Sequence, residues 1–399
     1  MTQAGWRTPT IVLIAAGITL GLAMGLRQTF GLFLGPLTEY HQMGRGEFGL
    51  AIAIQNLLWG GVAPFLGMLA EKYGTGRFVV AGGVIYAIGL LMMTLPDSFL
   101  AVYLGAGVVT GFAVAAVGFP LVLAAVARSV PPERRSIALA LASAGGSVGQ
   151  FLLLPGSQAL IDWLSWQGAL FVLAALSFLI VPLAAALAGK PTNLAGPHQS
   201  LSHALKEAGS HSGFRLLTIG FFVCGFHVAF VSTYLPSYIV SCGLDATIGA
   251  TALGIVGFFN IIGGVSAGWL GQRFHQKHVL AIIYLARAII IALFLAGPKT
   301  EWTVWLFSAV FGLLWLSTVP LTSSLVGRIF GARYLATLFG FVLFSHQIGA
   351  FFGAWLGGIV YDQTGSYDLV WYASIALGVA GALIHWPIAD KPIQREQLA

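Results

Sequence analysis

Chemistry in this chain starts from Arg27, which sits in the stretch GLRQTFGLFLGP (Gly25 to Pro36) among residues otherwise suited to lipid or to close helix packing. A charge near the centre of a bilayer costs roughly 3 kcal/mol even on lenient insertion scales, so it is kept where it faces a cavity or a partner. A guanidinium donates two parallel charge-assisted bonds to a carboxylate, which makes anion binding the expected chemistry. The competing role is structural, with Arg27 bonded to carbonyls of a neighbouring helix. Arg287 is a second arginine, about 15 Å deep in an apolar run at 1.5 Å per residue. For it, contact with a substrate competes with bracing towards the span before it.

Other polar side chains interrupt apolar runs at His227, His346, Gln347, Gln55, Asn56, Gln150 and Asn260. The histidines are the candidates for proton movement, because imidazole titrates near neutral pH. The amides serve either as ligands or as links between helices. All thirteen carboxylates fall in loops or at span ends, so no buried acid relay accompanies the arginines. An anion from outside the chain is then the simplest counterion for Arg27. No grouping of His, Cys, Asp and Glu has metal or nucleophile spacing, so an intramembrane enzyme is disfavoured and no metal or cofactor is expected.

The elements that must hold these residues follow from composition. Of 399 residues 58% are hydrophobic and 8% charged, against about a quarter charged in soluble domains. A span needs roughly 20 apolar residues, and twelve are expected: 10–37, 48–70, 77–96, 99–125, 135–161, 166–188, 214–240, 247–271, 277–297, 302–327, 334–361 and 367–388. A polar stretch, 189–212, with Pro191, Pro197, His198, His203 and His211, reads as a solvated linker between an N-terminal half (1–188) and a C-terminal half (213–399). Fifteen of the nineteen bases lie in loops on the side of Arg7, and only Arg45 and Lys299 lie opposite. That asymmetry predicts cytoplasmic termini in a cell (inner) membrane protein, here expected to be a monomer. The net charge of +6 is thus topology, and a nucleic-acid partner is not expected.

The halves repeat. Adding 200 pairs Arg27 with His227, Pro36 with Pro236, Pro120 with Pro320, Arg128 with Arg328, Gly149 with Gly349 and Asp162 with Asp362. Parallel repeats of this kind place a binding site between halves near mid-membrane. On a helical wheel Gly17, Gly21 and Gly25 make a packing seam, and Arg27 points nearly the other way.

The loop GMLAEKYGTGR, with Gly67, Glu71, Lys72, Gly74 and Arg77, resembles the signature of the major facilitator superfamily, as does its copy GWLGQRFHQK, with Gly268 and Arg273 but Gln272 in place of the acid. The resemblance implies an all-α membrane protein of twelve helices in two pseudo-symmetric halves, rocking between two open states, with this loop latching one of them through charge pairs. The run TFGLFLGPL after Arg27, and the stretches FSHQIGAFFGAWLGG and YDQTGSYD, are similar to the monocarboxylate porters and the oxalate–formate exchanger, which place a base at the position of Arg27. Where the animal porters carry Asp and Arg in span eight, this chain has about Asn260 and Gly264.

The resemblance implies a secondary carrier of small monocarboxylates, lactate- or pyruvate-like, in which Arg27 is the main charge counterpart. His227, His346, Gln347, Arg287, Asn260 and Gln55 complete the candidate site. Proton symport through His227 or His346 and exchange against a counter-anion both remain open, and an efflux carrier for drugs or metabolites is a further alternative.

Overall fold

Backbone amides cannot stay unpaired in hydrocarbon, so each apolar run closes its hydrogen bonds within itself as a helix. The computed structural model describes residues 6–96, 98–131, 134–189, 201–331 and 335–393, and helix is the regular structure found among them. Asp97, Glu133, Lys190, Pro191, Pro197, His198, Arg333, Arg395 and Glu396 lie outside the described residues.

Eleven described helices are long and apolar enough to cross a membrane, and one of them, Ile137–Leu187, has 51 residues. At 1.5 Å per residue a straight helix of that length would run about 76 Å, far more than a bilayer core of about 30 Å. Ser165 reverses it, with φ 66° and ψ 170°. Contacts with span one establish the reversal. Gly145 lies against Gly17 and Gly149 against Gly21, yet Arg7, before Gly17, donates to the Ala186 carbonyl at 3.0 Å. Spans five and six therefore share this segment, so the described residues supply twelve spans.

The repeat is visible in packing. A Cβ at Gly25 would come within 2.7 Å of the Gly149 carbonyl group, so spans one and five touch backbone to backbone. Spans seven and eleven do the same, with Gly225 against the His346 carbonyl and Gly349 against that of Phe222. Spans four and ten both break near their paired prolines. Span four is interrupted at the extended Gly118 (ψ −175°) before Pro120. Span ten splits into Glu301–Leu314 and Thr318–Phe330, with Pro320 in the first turn of the second piece.

The two halves meet through spans one and seven, two and eleven, and five and eight, from mid-membrane to the face opposite the termini. Gly31 abuts the carbonyls of Ser232 and Thr233, Gly49 that of Ala354, Gly358 that of Arg45, and Gly254 the ring of Pro155. Nearer the termini the same helices leave Phe65 and Met68, Ile137 and Leu141, Val265 and Trp269, and Phe341 exposed. Added Cβ atoms at Gly67, Gly264, Gly268 and Gly340 would meet nothing within 4 Å. The molecule is thus closed on the face opposite the termini and parted on the face that carries them. Within the expected linker Leu201–Ser210 is a helix with Ala204 and Ala208 buried, and His211 then caps span seven by accepting from the Phe214 N–H at 3.3 Å.

Gly149→Val should be unable to form the span one–five seam and should lower the melting temperature in detergent by many degrees or abolish folded protein. Gly17→Ala, which meets no neighbour, should melt like the parent. Equal melting of both variants would contradict this packing.

Candidate functional site

The glycine seam fixes the rotation of span one (Pro9–Tyr40) and turns Arg27 towards span two (Arg45–Tyr73). There Nη2 donates to Asn56 Oδ1, and Cζ lies 4.8 Å from the centre of the Trp59 ring. Asn56 cannot turn away, because its Nδ2 donates to the Ile52 carbonyl at 2.8 Å. Only 9% of Arg27 is exposed, and its Nε has no partner. Among the described residues no carboxylate touches the guanidinium, and the ion pairs join Asp390 to His275, Lys277 and Arg328. Burial would raise the Asp390 carboxyl, but the His275 hydrogen bond and the two bases outweigh it and hold the group below the usual carboxylate range.

Gln347 approaches the same turn of span two from the other half. A Cβ on Gly60 would lie 2.5 Å from Gln347 Cγ, and neither Oε1 nor Nε2 of this fully buried side chain is bonded. Asn56, Trp59 and Gly60 occupy one helical turn, so Arg27 and Gln347 converge on it from opposite halves. What gathers there is a guanidinium edge, an amide with donor and acceptor both free, and an indole face. Leaving such groups buried and unpaired costs about 1–3 kcal/mol each, so the cluster has hydrogen-bonding capacity that the described protein groups do not fill.

The remaining candidates are elsewhere. His346 points to span seven, with its ring 5.1 Å from that of Phe221 and neither nitrogen bonded to oxygen or nitrogen. The Cys224 thiol lies beside it and 3.2 Å from Thr318 Oγ1. His227, the repeat partner of Arg27, is fully buried within its own half, and its Nε2 lies 2.8 Å from the Ser374 carbonyl of span twelve. That contact makes Nε2 the protonated nitrogen and leaves Nδ1 bare.

Arg287, Asn260 and Gln55 each bond to backbone, although Arg287 Nη1 is buried without a partner. Arg287 Nε donates to the Leu314 carbonyl at 3.1 Å, and Nη2 reaches the carbonyls of Leu314 and Trp315, each at 2.5 Å. These are orphan carbonyls at the broken end of span ten, where the helix dipole is negative. The brace therefore runs to span ten, not to span eight. Asn260 serves the same break from the other side: Oδ1 accepts from the Leu316 N–H at 3.0 Å, while Nδ2 donates to Ser147 Oγ in span five at 2.9 Å. Gln55 Nε2 donates to the Ala106 carbonyl at 2.7 Å, inside the π-helical segment Tyr103–Val109.

In the signature loop, Gly74 takes φ 95°, a conformation that favours glycine. The next residue, Thr75, donates its N–H to the Gly189 carbonyl at 3.1 Å and accepts from Arg128 Nη2 at 2.6 Å. Lys72 lies 5.2 Å from the Tyr73 ring and Arg273 4.1 Å from that of Trp269, while Arg77 is exposed. The Glu71 side chain is outside the described residues. A cavity of about 140 Å³ opens between Gly271, Gln272, Gln276, Pro320 and Ser324 and touches none of the candidate substrate residues. Asn56, for which the sequence leaves ligand and link both open, contacts Arg27 directly, and Trp59, one of many aromatics in the spans, lies beside it.

Arg287→Gln should leave carbonyls at the span-ten break unpaired and lower the melting temperature, whereas the KM of the surviving transport should stay within about twofold of the parent. An unchanged melting temperature with a large KM rise would show that Arg287 serves the substrate instead.

Residues 13–353 match the family model described as Major Facilitator Superfamily. The chain is similar to monocarboxylate transporter 13 of Rattus norvegicus, 25% identical over 95% of this chain and 87% of the relative. It is also similar to monocarboxylate transporter 11 of Homo sapiens, 26% identical over 96% of this chain and 82% of the relative. In fold it matches a bacterial homologue of the lysosomal transporter Spinster, solved inward-facing and unoccupied, with a TM-score of 0.77, 16% identity and coverage of 96% and 97% of the two chains. These findings point to a transporter rather than an enzyme. The chain belongs to the Major Facilitator Superfamily.

Proposed function

We propose that this transporter is a secondary active carrier of small monocarboxylates of the lactate or pyruvate type, working by alternating access. The observation that carries the reading is a buried Arg27 that has a neutral amide, not a carboxylate, for company and keeps Nε free. A substrate carboxylate supplies the missing charge on the Nε edge. A hydroxyl or keto oxygen on the neighbouring carbon is then in reach of Gln347, and the Trp59 face packs its carbon chain. The names of the curated relatives support the class.

The loop charges support placing the terminal face in the cytoplasm of a cell (inner) membrane, so the parted state is inward-open. The central site has no acid to carry a proton. His346, with both ring nitrogens free of oxygen and nitrogen partners, suits coupling better than His227, which is tied to Ser374. The same absence of an acid favours a second reading, anion exchange of the oxalate–formate type, in which Arg27 is always covered by one anion or another.

In proteoliposomes, Arg27→Gln should reduce lactate or pyruvate uptake by about 10- to 100-fold, as expected from losing a charged hydrogen bond worth roughly 1.5–3 kcal/mol. Arg27→Lys should retain part of it. Asn56→Asp, which places a carboxylate on Arg27, should raise KM as strongly as Arg27→Gln. Uptake indifferent to Arg27→Gln, or confined to neutral sugars, would sink the proposal. For coupling, His346→Gln should flatten the pH dependence of uptake, and an unchanged profile in the His227→Gln, His346→Gln double variant would remove the histidine role.

A further inference from the structure

Span two begins at Arg45, and its N-cap is Gly44; within its own half Glu47 Oε2 accepts from the Gly44 N–H at 2.9 Å, but glycine has no side chain to offer the N–H groups of Arg45 and Gly46. The carboxylate of Asp362, at the far end of span eleven in the other half, takes that place. Oδ1 accepts from the Arg45 N–H at 3.0 Å and Oδ2 from the Gly46 N–H at 2.7 Å. An anion at a helix N-terminus is favoured by both the bare donors and the dipole. Arg45 crosses in the opposite direction. Its Nη1 donates to Ser237 Oγ at 2.7 Å and to Tyr367 Oη at 2.5 Å, and Cζ lies 3.7 Å from the centre of the Tyr361 ring. Every one of these contacts joins the two halves on the face opposite the termini, so all of them break together if that face opens.

The pseudo-symmetric position lacks the device. Asp162, the repeat partner of Asp362, accepts from Gln158 Nε2 at 2.9 Å, four residues away on its own helix. Span eight, the counterpart of span two, carries its own cap: Asp245 accepts from the Thr247 N–H at 2.8 Å. The N-cap residue thus decides whether a helix end is satisfied within its half or left for the other half to satisfy. Glycine at 44 and aspartate at 245 make that choice differently at the two equivalent places.

We propose that Asp362, backed by Arg45, is a state-selecting lock. It supplies the cap that span two lacks only while the face opposite the termini is closed, and so biases the carrier towards the form open on the terminal face. The inference uses alternating access but no feature of the substrate site.

The test is the distance between spin labels at Glu39→Cys and Ser241→Cys, both exposed near that face, in a Cys242→Ser background reconstituted in lipid without substrate. Asp362→Ala should raise the ratio of long to short distances by about tenfold, the size expected for losing an N-cap with its charge. Asp362→Asn, which keeps an acceptor, should shift it less, and Asp162→Asn should not shift it. Arg45→Gln should act in the same direction as Asp362→Ala. An unchanged distribution in Asp362→Ala protein that still folds, or an equal shift in Asp162→Asn, would overturn the lock. Because no substrate is present, either result leaves the anion reading standing.

Discussion

A positive charge buried without a negative one is the constraint that the rest of this molecule serves. Arg27 lies near mid-membrane with a single neutral acceptor, Asn56, and an indole face. A guanidinium is weakly hydrated and stacks well on aromatic rings, which makes this environment tolerable. It does not make it neutral. On the proposed reading the site persists empty yet is incomplete enough to favour an anion, the balance a carrier needs if it is to bind and then release. A carboxylate at position 56 would satisfy Arg27 permanently and remove that balance.

Holding the charge there depends on glycine. Spans one and five approach through Gly17, Gly21, Gly145 and Gly149 so closely that span one cannot turn, and a helix that cannot turn keeps Arg27 on span two. The second half repeats the seam between spans seven and eleven and so aims Gln347 at Gly60. Arg287 and Asn260 play a supporting part. By feeding the broken backbone of span ten from both sides they let a central helix bend without leaving polar groups orphaned in a medium that offers no water. Asn260 also reaches Ser147 in the first half, so the break in span ten is tied to the interface between the halves.

Features set by composition and period were legible in the sequence: twelve crossings, the two halves, the glycine seam and the depth of Arg27. Features set by which helix lies opposite were not. Arg287 was readable as a brace, but its acceptor depended on where span ten breaks. His227 shares the register of Arg27, yet register fixes the level of a residue and not the neighbour it meets; its imidazole faces span twelve. Trp59 was one aromatic among many until Arg27 was placed beside it. The helix Leu201–Ser210 was hidden by the Pro-rich polar stretch before it.

The most direct measurement is a structure determined with a saturating bromine-bearing monocarboxylate, its bromine located by anomalous scattering. The account predicts one carboxylate on the Nε edge of Arg27, its substituent between Trp59 and Gln347. A carboxylate bound to the Arg287 side of span ten, or in the cavity beside Gln276, with Arg27 still bonded only to Asn56, would contradict it.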